Sequence, residues 1–266
     1  MRNDLPSIKK SIFLILIGFG IGFFVALAYS FISIIFTGNL DVSVEKLRVA
    51  MLLGELLIPV PVLIWVIKNK LSFSNVFRIK PVKSDLYFPA ILTGLGLIVL
   101  IDEFDRIMGK IFTPPAGLTE IEALMAIDSI LSAILIIGII VVLGPVIEEM
   151  LFRGFFQKVL EERLSSVTNA VLVSALTFAV LHFNPWWLIQ IYILGFFMAF
   201  FAYRTGSILI PLLIHALNNG ISVLASQFSN IKLEWYVWHG HVNPLIILLA
   251  ILLTYWGVKR FIALTE

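Results

Sequence analysis

The stretch Ser129–Gln157, SILSAILIIGIIVVLGPVIEEMLFRGFFQ, decides which solvent this chain folds in. It is uncharged from Ser129 to Ile147 and then places Glu148, Glu149 and Arg153 close together. A helix needs about 20 mostly apolar residues to cross a bilayer. The run is continuous rather than alternating, so a helix is expected and a barrel strand is not.

Working outward, seven more runs have the same character. They are Ser11–Phe36, Val49–Ile67, Leu86–Met108, Leu164–His182, Trp186–Tyr203, Ser207–Gln227 and Pro244–Phe261. The composition agrees. The chain is 60% hydrophobic and 14% charged, with a mean hydropathy of +1.02. Soluble domains carry roughly 25% charged residues. The expected fold is all-α, a polytopic transmembrane helix bundle of about eight spans. One membrane domain covers residues 1–266. No cysteine is present, which excludes disulfides and thiolate metal sites. The net charge of +2 is spread out, and nothing in it suggests a nucleic-acid partner. The expected surroundings are the lipid bilayer, and the oligomeric state stays open.

Lys and Arg in the short loops set the orientation. With the N-terminus cytoplasmic, thirteen fall inside: Arg2, Lys9, Lys10, Lys68, Lys70, Arg78, Lys80, Lys83, Lys158, Arg163, Arg204, Lys259 and Arg260. Four fall outside: Lys46, Arg48, Lys110 and Lys232. The bias predicts a multi-pass protein of the cell membrane with both termini cytoplasmic. The first run is read as a retained helix and not as a signal peptide. Gly144-Pro145 leaves an alternative open. Proline removes a helical hydrogen bond, so residues 121–143 and 145–162 form two pieces if the helix restarts there.

A charge in the middle of a membrane helix costs roughly 2.5–3.5 kcal/mol on insertion scales. Glu149 and Arg153 are four residues apart, acid first, in the favourable order for an ion pair. Glu148 points about 100° away and lacks that partner. An unpaired intramembrane acid marks function by default, and it suits a general base. The plainer reading of the pair is a structural charge network. In TFAVLHFNPWW, Phe178 and His182 share a helix face. Glu148 lies 16 residues before Leu164 and His182 lies 18 after it. In an antiparallel hairpin the two reach similar depth. In IPLLIHALNNG, His215 and Asn219 share a face while Asn218 is rotated away. A lone His could cap a helix, and a His/Asn pair could be interhelical glue. Three such elements on successive apolar helices favour a site.

Other polar residues give weaker signals. Glu55 needs a partner that the sequence does not name. Asp102, Glu103, Asp105 and Arg106 look like a solvated helix end or a local pairing. His239 and His241 look like loop residues and not a metal site.

The ordered set EEMLFR, FAVLH and HALNN resembles the CPBP family, the CAAX proteases and bacteriocin-processing enzymes, which includes the type II CAAX prenyl endopeptidases. The resemblance covers roughly residues 121–225, which would form the catalytic core. It implies an intramembrane endopeptidase acting on a membrane-associated peptide or protein. Glu148 and His182 would activate water, and His215 and Asn219 would stabilise the oxyanion. Glu149, Arg153 and Phe178 would support them. The resemblance also allows zinc on Glu148, His182 and His215. The amide of Asn219, a poor zinc ligand, favours a metal-free mechanism. Two other classes stay open: a non-catalytic scaffold or immunity protein, and a proton-coupled transporter.

Overall fold

The computed structural model describes residues 5–38, 43–115, 117, 123–228 and 233–266. Arg2 and Lys232 of the charge count, and residues 121 and 122 of the expected core, lie outside these. The architecture is helical throughout, with one small hairpin.

Helix α1 (Ile8–Thr37) runs to a left-handed Gly38 cap. The second span, α2 (Val44–Lys68), turns at Ile58-Pro59, where proline removes a donor. A short α3 (Phe73–Val76) follows, and then α4 (Tyr87–Ile111). The long α5 (Ile130–Arg163) carries the stretch first quoted. It is followed by α6 (Val167–Val180), α7 (Leu188–Thr205), α8 (Leu209–Gln227) and α9 (Pro244–Thr265). Strands β1 (Val237–Trp238) and β2 (His241–Val242) pair antiparallel just before α9.

Among the described residues, seven helices are long and apolar enough to cross a membrane. Seven of the expected spans coincide with them. The run at Leu164–His182 instead holds α6, of 14 residues. At 1.5 Å per residue α6 is about 21 Å long, short of a hydrocarbon core of about 30 Å. It therefore ends within the thickness of the bundle.

Gly144-Pro145 does not divide α5. The helix widens to π geometry over Ile137–Leu143, and the Gly144 N–H bonds to the Ile139 carbonyl. A proline ring clashes with the carbonyl four residues before it. The wider turn relieves that clash and keeps the helix continuous. A second π segment covers Met150–Phe156.

The outer surface is apolar as well as the interior. Phe23, Phe24 and Phe31 of α1 and Leu245 and Leu252 of α9 are exposed, as suits a lipid-facing surface. The interior holds Phe77, Phe152, Phe155, Phe156, Phe178 and Phe201. Small residues permit the closest helix contacts, since lipid supplies no hydrophobic drive between helices. A Cβ on Gly22 would stand 2.6 Å from the Gly54 carbonyl, so α1 and α2 meet backbone to backbone.

Side-chain bonds define the two ends of the bundle. At one end Arg163 donates to the Leu5 carbonyl, Arg204 donates to Thr265, and Arg78 pairs with Glu161. At the other, Arg48 donates to the Leu124 carbonyl, and the Ile127 N–H donates to Gln227.

Candidate active site

The three motif helices converge. Glu148 Oε2 lies 3.8 Å from His182 Nε2 and 3.7 Å from His215 Nε2. The end of α6 and the body of α8 bring both imidazoles to the middle of α5. Because α6 stops at Val180, His182 sits just beyond its end, where the chain turns through a left-handed Phe183 (φ 51°).

The hydrogen bonds orient both rings. His182 Nδ1 lies 2.7 Å from the Phe178 carbonyl, which can only accept. Nδ1 therefore carries a proton, and Nε2 faces Glu148. His215 Nδ1 lies 2.9 Å from Glu149 Oε1. That carboxylate also accepts from Arg153 Nη1 at 2.9 Å, so Nδ1 is again the donor and Nε2 again faces Glu148. Glu149 and Arg153 form the pair expected from their spacing, and both are fully buried. Arg153 also donates to the Gly195 carbonyl at 3.3 Å and sits 3.9 Å above the Phe178 ring. Phe178 meets His182 and His215 edge-on, at 4.6 and 5.7 Å. One ring thus braces both histidines and the arginine.

Asn219 is tied to α5. Its Nδ2 donates to the Ile140 carbonyl at 2.9 Å. In the π turn that carbonyl would seek the N–H of residue 145, which proline lacks. The amide satisfies the oxygen that Pro145 leaves free. Asn218, despite its different helical angle, donates to Asn219 Oδ1 at 3.1 Å and lines the same cavity.

That cavity, of about 1340 Å³, is walled by Glu148, Phe178, His182, His215 and Asn219 and extends along α4, α8 and α9 to the loop at Leu233–Val237. Its apolar wall includes Leu95, Ile98, Leu194 and Leu253. Glu148 Oε2 is buried without a hydrogen-bond partner among the described residues.

The acids of α4 do more than cap a helix end. Asp102 pairs with Arg106 at 2.9 Å, the local pairing expected, and also accepts from the Tyr236 hydroxyl at 2.8 Å. Burial first, and then the Asp102 carboxylate, push the Tyr236 hydroxyl upward from its ordinary value, which keeps it a donor. Glu103 accepts from His241 Nδ1 and from the Val242 N–H, both at 2.7 Å. Asp105 accepts from Trp186 Nε1 at 2.9 Å and Gln190 Nε2 at 3.2 Å. It therefore pins the loop that follows His182. Sequence spacing gave no signal of this, because the partners lie 81 and 85 residues away.

Ligands about a tetrahedral zinc stand about 3.4 Å apart for bonds of about 2.0–2.1 Å, so a zinc on Glu148, His182 and His215 would draw these atoms closer than the 3.7–3.8 Å seen here. Among the described residues no group of three His, Cys, Asp or Glu is gathered to hold a metal.

Residues 130–221 match the family model described as type II CAAX prenyl endopeptidase Rce1-like. The match contains all seven motif residues and bears out the resemblance to the CPBP family. It supports an intramembrane protease, a hydrolase. No curated protein matches the chain, and no solved structure does.

Proposed function

From this Rce1-like match over residues 130–221, we propose that the chain is an intramembrane endopeptidase in which Glu148 and His182 activate water. The carrying observation is the pair of Nε2 atoms aimed at Glu148 Oε2 across 3.7–3.8 Å. The gap is too long for a direct hydrogen bond and right for one bridging water. Glu148 takes a proton from that water while its oxygen attacks the scissile carbonyl carbon. The proton then passes to the leaving amine as the C–N bond breaks, giving a carboxyl and an amine terminus.

His215 and Asn219 are proposed to meet the developing oxyanion. Asn219 has a second amide N–H beyond the one held by Ile140. His215 faces the same region through Nε2, its ring fixed by Glu149 at Nδ1. The substrate is a membrane-associated peptide or protein, which the size and apolar walls of the cavity suit. The mechanism proposed needs no metal.

The test reconstitutes the protein in liposomes with membrane-anchored peptides, with and without a zinc chelator, and reads products by mass spectrometry. Cleavage unchanged by chelation is expected. Uncleaved peptides contradict the peptidase. Stoichiometric zinc, together with loss of cleavage on chelation, contradicts the metal-free mechanism.

A further inference from the structure

Glu55 takes no part in the chemistry above and lies outside residues 130–221. It sits in the middle of the second span and lines the same cavity as Glu148. Its Oε1 is buried without a hydrogen-bond partner among the described residues. No described Lys, Arg or His stands within salt-bridge range of it. A carboxylate in an apolar surround is costly unless paired. Three other acids near the site are engaged. Glu149 holds Arg153 and His215, Asp102 holds Arg106 and Tyr236, and Asp105 holds Trp186 and Gln190.

The charge of the whole wall points the same way. Among the described residues the lining includes Glu55, Asp102, Asp105, Glu148 and Glu234 and one permanent cation, Arg106, which Asp102 already engages. A low-dielectric cleft lined by one sign of charge concentrates the opposite sign. The excess runs from the loop at Glu234 to the floor at Glu148.

We propose that the cavity receives a cationic group of its substrate, a lysine, an arginine or a free amine, and that Glu55 is the carboxylate that receives it. The inference rests on the endopeptidase reading only for calling the bound molecule a substrate. Glu55 supplies the charge partner and so selects peptides with a basic residue near the bond to be cut. The apolar wall takes the rest of the chain.

The test uses the intact protein in zwitterionic phosphatidylcholine nanodiscs and two probes, dodecanoyl-Gly-Lys-amide and dodecanoyl-Gly-norleucine-amide. The two differ by an ammonium against a hydrogen on the ε-carbon. Binding is read by calorimetry in the parent, in Glu55→Gln and in the charge-keeping Glu55→Asp, with melting temperature as the folding control. The parent is expected to bind the lysine probe at least ~10-fold more tightly. Glu55→Gln should abolish the difference, and Glu55→Asp should retain part of it. Equal affinities in the parent overturn the inference, as does a preference that survives Glu55→Gln. If Glu55→Gln does not fold, Glu55→Asp decides, because loss of all preference with the charge kept also overturns it. Failure here leaves cleavage untouched, and failure of cleavage leaves this binding comparison readable.

Discussion

At the scale of single residues the account turns on which atoms are held and which are left free. Arg153 neutralises Glu149 inside a fully buried pair. Arg153→Ala leaves a buried carboxylate without its partner, a loss of about 3–5 kcal/mol. A marked fall in melting temperature is expected, and a parental value would show that the pair does not hold the fold. Asn219 holds the Ile140 carbonyl and is proposed to meet the oxyanion as well. Asn219→Ala should lower the cleavage rate about 10²–10³-fold, with a stability cost of about 1–3 kcal/mol for the orphaned carbonyl. An unchanged rate removes Asn219 from the chemistry. These residues were legible in the sequence because a charge, a histidine or an amide stands out in an apolar helix. Asp105 and Glu103 were not. Beside Arg106 they look like any solvated helix end, and their partners come from distant loops.

At the scale of elements, the helices are shaped to deliver these groups. Pro145 removes a donor, α5 widens instead of breaking, and a carbonyl is freed for α8 to hold. The sequence showed the proline but left open whether the helix restarts, since hydropathy is indifferent to a π turn. It also ran α6 on to His182, because apolar residues continue past the last helical bond. The observed end at Val180 lets His182 turn toward Glu148. The contact of α1 and α2 depends on glycine. Gly22→Leu would drive a side chain into the Gly54 carbonyl. Overpacking of this kind costs about 1–3 kcal/mol, so the variant should melt at lower temperature. Parental melting would show that the close approach contributes nothing. The motif helices would remain in place in either case.

For the molecule as a whole, the bundle holds polar groups at a depth where lipid would otherwise be. The lipid-facing helices were plain from hydropathy. The cavity was not, because its wall combines residues from seven helices and the loop at Leu233–Val237, separated by up to about two hundred positions. It joins the loop at Leu233–Val237 to the floor at Glu148, giving a peptide a way to two oriented imidazoles. The central claim is that Glu148 and His182 activate the attacking water. The most direct measurement compares cleavage of one membrane-anchored peptide by the reconstituted parent, Glu148→Gln and His182→Ala, each shown to melt like the parent. The account predicts losses of about 10²–10⁴-fold in each variant, the range that a positioned acid or base contributes. Cleavage by both variants at the parental rate would contradict it.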